Sequence, residues 1–200
     1  FEALVGKTVG ESHHAPRPTD SVEILKAVEA KNPDGLFMSG YFPEVGPMAQ
    51  QIRQAGMKDA VLLGGDGWDS PDLLTSGGDA IIGSFFCNHY NNKEDRPEVK
   101  AFLGKWKKLK NGQEPSTTMA ALGYDATALT LDAIKRAKSA NSKKIIAALD
   151  ETDAFAAVSG AITLKGQNGD PLKQALVVEV RPKSEGFQVF RKAIKPEDIK

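Results

Sequence analysis

Short apolar runs alternate with longer amphipathic stretches through residues 7–87, and this alternation leaves few folds open to the chain. The runs 36–38 (LFM), 60–63 (AVLL) and 81–87 (IIGSFFC) are too short for helices and read as buried strands, with 7–12 (KTVGES) as a weaker candidate. Between them lie helix signals. Asp20 and Glu23 have capping-box spacing ahead of Val22, Leu25, Val28 and Glu29, and Asn32-Pro33-Asp34-Gly35 stops that helix. Pro43 suits the first turn of a second helix, whose apolar face is Val45, Met48, Ile52 and Ala55 and whose end is Gly56. Ser70-Pro71-Asp72 reads as the cap and first turn of a short helix through Leu74. Strands alternating with helices give an α/β fold built on a parallel sheet with right-handed crossovers.

The pattern changes after Cys87. Residues 88–97 are polar and turn-rich, as a hinge would be, and helices follow at 98–110, 119–138 and 142–150 with no strand between them. Phe102, Trp106 and Leu109 form the buried stripe of the first helix, whose lysines make its wet face. Ala121, Leu122, Ala128, Leu129, Leu131 and Ile134 line the second. Strands at 161–164 and 175–180 flank Gln167-Asn168-Gly169-Asp170, a hairpin turn or an inter-domain connection. Residues 187–190 form a last strand. Three amphipathic helices need an apolar surface, so they either stack together or cover a sheet made from other chain.

Composition removes several function classes. The 26 basic and 26 acidic side chains balance to zero net charge, which argues against a nucleic-acid or anionic-membrane binder. No apolar run approaches the ~18 residues of a membrane span. The chain opens on Phe1, and no secretory leader pattern is read there. The single cysteine, Cys87, ends an apolar strand and reads as a small buried hydrophobe. His13, His14 and His89 lack a further ligand at metal spacing, so they read as loop residues and no metal site is expected. Met38, Met48, Met57 and Met119 read as core fillers. No nucleophile elbow, phosphate-binding loop or dinucleotide fingerprint is present, so neither a catalytic residue nor a cofactor is expected.

Ligands of open parallel sheets sit beyond the carboxyl ends of the strands. There the chain places Ser39-Gly40-Tyr41-Phe42 after one strand and Gly64-Gly65-Asp66-Gly67-Trp68 after the next. Sequential parallel strands are usually neighbours, which brings Tyr41 and Asp66 to one lip. A carboxylate beside aromatic rings suits a small ammonium group through a charge-assisted hydrogen bond and cation–π attraction. Asp66 as a helix cap, or Asp66, Asp69 and Asp72 as solvated turn residues, is the alternative. An enzymatic rival is a flavodoxin-like domain holding Mg²⁺ on Asp66, Asp69 and Asp72 for phosphoryl transfer.

Gly40-Tyr41-Phe42-Pro43-Glu44-Val45-Gly46, followed by Leu63-Gly64-Gly65-Asp66-Gly67-Trp68, resembles the type I periplasmic binding proteins, and within them the branched-chain amino-acid binding proteins of ABC transporters. Thr19-Asp20-Ser21, Asn32-Pro33-Asp34, Ala121-Leu122-Gly123-Tyr124-Asp125-Ala126, Gly160-Ala161-Ile162-Thr163-Leu164 and Asn168-Gly169-Asp170 continue the resemblance in the same order. It implies two α/β lobes closing on a ligand held in the cleft between them. Residues 1–88 and 175–200 would form the C-terminal lobe and 92–170 part of the N-terminal lobe, with hinge crossings near 88–91 and 170–174. The resemblance gives Asp66 to the ammonium of a small, aliphatic amino acid and Tyr41 to the cleft, with Phe42 and Trp68 as further wall residues. Relatives often carry Glu where Asp66 stands. The implied partners are the amino acid and a transporter permease, the implied location is periplasmic or at the cell surface, and a sensory receptor domain is the variant reading. Members of this family begin with an N-lobe sheet that has no counterpart here. The chain therefore reads as a C-terminal portion, which the N-terminal portion of the same protein, in the same or a separate chain, would complete.

Overall fold

The computed structural model describes residues 6–13, 22–195 and 198. The chain divides into two compact units, one of residues Phe1–Cys87 and Val178–Val189, the other of Asn88–Val177 and Phe190–Lys200. The chain thus passes between units at 87/88, 177/178 and 189/190, and residues 190–200 group with the second unit instead of the first.

In chain order the elements of the first half are α1 (Val22–Glu29), β1 (Gly35–Met38), α2 (Phe42–Gln54), β2 (Val61–Gly64), α3 (Asp72–Gly77) and β3 (Phe85–Asn88). Those of the second half are α4 (Pro97–Leu109), α5 (Met119–Ala137), α6 (Ser142–Asp150), β4 (Phe155–Ala157), β5 (Gly160–Ile162), β6 (Ala175–Val180) and β7 (Gln188–Ile194). One sheet has the order β1-β2-β3-β6-β7, with β1, β2 and β3 parallel as their helical crossovers require. The other is the antiparallel pair β4-β5.

The α2 helix shows how local sequence makes these elements. Tyr41 is extended (φ −107°, ψ 160°), and its carbonyl accepts from the backbone of Glu44 and Val45, both at 3.0 Å, with Pro43 in the first turn. Val45, Met48, Ala49 and Ile52 then fall on one face at helical spacing and are buried. The guanidinium of Arg53 donates to the carbonyls of Met57 and Ala60 at 2.7 Å each and of Ala80 at 3.2 Å, fastening the end of α2 to the start of β2. Around these elements the first unit has one continuous core, including Leu62, Trp68, Leu73, Ile81, Phe86, Val178 and Val180.

The second unit is held by smaller clusters. Tyr90, Val99, Phe102, Ala121 and Val158 form one, with the Tyr90 and Phe102 rings edge to face at 6.1 Å, and Leu129, Ala157 and Ile162 form another. Polar groups contribute the rest. Asp125 is 2% exposed and accepts from the backbone of Val158 and Ser159 at 2.8 Å each, while Arg96 donates to the carbonyls of Ala157 (2.9 Å) and Val158. The β4-β5 turn is thus gripped on four backbone groups by two side chains. The Asn141 side chain caps α6, accepting from Lys143 and Lys144.

Several expectations are corrected. Residues 7–12 form no strand, because they have no neighbour to pair with among the described residues. His14 and the expected capping pair's Asp20 lie outside the described residues. The apolar run 81–87 divides into a 3-10 turn at Gly78–Ile81 and β3, since Gly83 (φ 81°) breaks it. The expected hairpin of 161–164 with 175–180 does not form: β5 pairs back onto β4, β6 joins the large sheet, and Asn168-Gly169 turns the chain between Thr163 and Leu172, which bridge. Leu109 is 79% exposed and Met119 40% exposed, so neither is core.

Candidate functional site

The register of the parallel strands fixes where their loops emerge. Met38 aligns with Gly64, and Gly64 with Phe86, so the segments that follow leave the sheet at one edge. The β1 loop turns at Gly40 (φ 148°) and presents Tyr41; the β2 loop turns through the 3-10 segment Asp66–Trp68. These two loops touch. A Cβ added to Gly67 would lie 2.8 Å from the carbonyl oxygen of Gly40 and 3.0 Å from the Tyr41 ring, so only glycine admits this approach. The Tyr41 ring, 68% exposed, therefore lies against the residue that follows the exposed Asp66.

The four residues expected at this lip have different fates. Tyr41 and Asp66 are both exposed on the first unit, on the two loops that meet at Gly67. Phe42 is half-buried and packs against the core, leaving only part of its ring outside. Trp68 is a core residue and not a wall of an open groove: it is fully buried, 6.4 Å from the Phe86 ring. Its indole lies on Gly64, where a Cβ would come within 2.0 Å of it. Glycine at that strand position makes the room, which drives the indole inward.

Two further side chains belong to this edge. Cys87, at the end of β3, is exposed and not buried as expected. Partial desolvation and the nearby Asp66 carboxylate together push its thiol pKa up, which places it within electrostatic reach of Asp66. Asp69 is 6% exposed, and its Oδ1 accepts from Nε2 of Gln188 at 2.7 Å. The signal for Cys87 was in the sequence, since it is the last residue of an apolar run that ends at the carboxyl edge of the parallel strands. Nothing in the sequence linked Asp69 to a residue 119 positions away.

The arrangement can receive a small cation beside an aromatic ring. The Mg²⁺ alternative needs Asp66, Asp69 and Asp72 to converge. Among the described residues no three His, Cys, Asp or Glu side chains converge as metal ligands, and Asp69 is turned toward the partly buried Gln188. Among the described residues no helix is long and apolar enough to cross a membrane.

Comparison with known proteins gives concordant results. The family model described as "Periplasmic binding protein" matches residues 1–186. The leucine-, isoleucine-, valine-, threonine- and alanine-binding protein of Pseudomonas aeruginosa is 31% identical over 114 residues, 57% of this chain and 30% of that protein. The crystal structure of the leucine binding protein LivK from Thermotoga maritima superposes with a TM-score of 0.79 at 36% identity, covering 90% of this chain and 50% of that one. The substrate binding protein LivJ of Streptococcus pneumoniae, solved with isoleucine, superposes with a TM-score of 0.70 at 25% identity, covering 89% of this chain and 49% of that one. The chain spans half or less of the length of each of these relatives.

Proposed function

Given that the chain belongs to the periplasmic binding protein family, a family of solute-binding proteins and not of enzymes, we propose that it binds a small aliphatic amino acid through Asp66 and Tyr41 for delivery to an ABC transporter outside the cytoplasm. The observation that carries this reading is the contact between the β1 and β2 loops, where Tyr41 lies over Gly67 next to Asp66. The carboxylate of Asp66 accepts charge-assisted hydrogen bonds from the ligand ammonium, and the Tyr41 ring adds cation–π attraction and shields the pair from water. Both contributions grow as water is excluded, because charges attract more strongly at low dielectric. Leucine and isoleucine, named for the Thermotoga and Streptococcus proteins, support this choice of ligand class. Aspartate is one methylene shorter than glutamate, so the carboxylate stands closer to the sheet and leaves more room for the ligand.

On this reading the first unit is the ammonium-binding lobe. The helices of the second unit belong to the other lobe, whose sheet is supplied by an N-terminal portion outside these residues. Calorimetric titration of leucine, isoleucine, valine and alanine into the full-length gene product tests the assignment. Asp66→Ala weakens binding by about 100-fold, the loss of a desolvated charge-assisted pair. Unchanged affinity in that variant overturns the ammonium role of Asp66.

A further inference from the structure

We propose that Asp69 and Gln188 act together as positioning residues for the ammonium-binding carboxylate of Asp66, an inference that rests on the amino-acid reading above. Burial anchors the β2 loop on both sides of Asp66. Gly64 is paired in the sheet, and Trp68, Asp69 and Ser70 are all buried, while Asp66 faces solvent. An exposed carboxylate on such a loop takes its direction from the buried residues that follow it.

The connection from Asp69 to Asp66 is direct. The Asp69 amide donates to the Asp66 carbonyl at 3.1 Å, closing the 3-10 turn over Asp66. Asp69 itself has φ −73° and ψ 73°, and the Ser70 amide donates to the Trp68 carbonyl at 2.7 Å, which together make an inverse γ-turn centred on Asp69. The side chain of Asp69 then reaches across to Gln188, whose Nε2 donates to it at 2.7 Å. Gln188 opens β7 on a well-held turn. The Arg181 amide donates to the Phe187 carbonyl at 2.7 Å, and the Phe187 ring packs against the core of the first unit. A strand on the far edge of the sheet therefore holds Asp69, and Asp69 holds the backbone of Asp66.

A buried carboxylate used only to stabilise the loop would raise the melting temperature and nothing else. A positioning role makes a narrower prediction, because an aimed carboxylate discriminates a ligand with an ammonium from one without it. The test uses the full-length gene product and two probes, leucine and its des-amino analogue 4-methylpentanoate, titrated by calorimetry. Gln188→Ala lowers the preference for leucine over 4-methylpentanoate by about tenfold, the worth of one hydrogen bond to a charged group. Asp69→Asn, which keeps an oxygen for the Gln188 amide, retains the preference within about twofold.

A second measurement needs no ligand. The alkylation rate of Cys87, the one cysteine of these 200 residues, is followed against pH by peptide mass spectrometry. Asp66→Asn lowers the midpoint of its titration, and Gln188→Ala lowers it part of the way, because a carboxylate released from its turn acts less on the thiol. If Asp66→Ala loses affinity while Gln188→Ala keeps both the leucine preference and the wild-type thiol midpoint, the positioning role is overturned and the amino-acid reading stands. If Asp66→Ala binds leucine as the wild type does, the amino-acid reading falls, and the positioning role falls with it.

Discussion

The two units use their apolar side chains differently. The first surrounds a parallel sheet with helices and gathers its large residues into one cluster, where Trp68, Leu62, Leu73 and Ile81 are fully buried. The second has three helices and the two-stranded β4-β5 sheet, and α6 buries none of its residues. Leu131 and Ile146 remain 53% and 56% exposed, and Ile134 and Leu172 are also open. What holds the second unit's β4-β5 turn is polar: the Asp125 carboxylate on two amides and the Arg96 guanidinium on two carbonyls. An apolar core tolerates variation in shape, while a buried carboxylate on two amides tolerates almost none, since each lost bond strands a donor. The difference teaches that one unit is organised by a single buried core, and the other by smaller apolar clusters with specific hydrogen bonds at the β4-β5 turn.

This contrast is open to direct tests, because each unit has one tryptophan, Trp68 in the first and Trp106 in the second. The largest effect expected is from Trp68→Ala, which lowers the stability of the first unit by about 3–5 kcal/mol in urea denaturation followed by circular dichroism. A loss below about 1 kcal/mol would break the view that this indole is the keystone of the core. Next comes Asp125→Ala in the second unit, at about 2–4 kcal/mol, read from the Trp106 fluorescence transition. Asp125→Asn, which leaves one acceptor oxygen, should cost less. Equal losses in the two variants would show that charge, and not the paired hydrogen bonds, holds the turn. Smallest are Leu131→Ser and Ile146→Ser, each within about 0.5 kcal/mol by the same transition. A larger loss would mean that these faces are covered in solution, sharpening the contrast into a statement about what covers them.

Much of the first unit could be read from residue order alone. The strands at 36–38 and 60–63 and the helix opened by Pro43 are local signals, and Gly56 (φ 104°) ends that helix as its position implied. That Tyr41 and Asp66 stand on adjacent loops was also readable, because parallel strands deliver their loops to one edge. The orientation of each loop was not readable. Trp68 follows Asp66 by two residues, yet one side chain is core and the other faces solvent, and the choice depends on the space above Gly64. Cys87 escaped for a related reason: its run looked continuously apolar, but Gly83 interrupts it and the strand ends with the thiol at the edge.

Amino-acid order by itself dictated the α/β alternation, the caps and turns, and the adjacent loops that carry Tyr41 and Asp66, since each depends on chemistry within a few positions. Long-range packing decided which strand β5 would join, which aromatic would be buried, and that Gln188 would hold Asp69. Those outcomes turn on contacts between residues far apart in the chain, where shape, register and available space select a partner and local propensity has no preference to express.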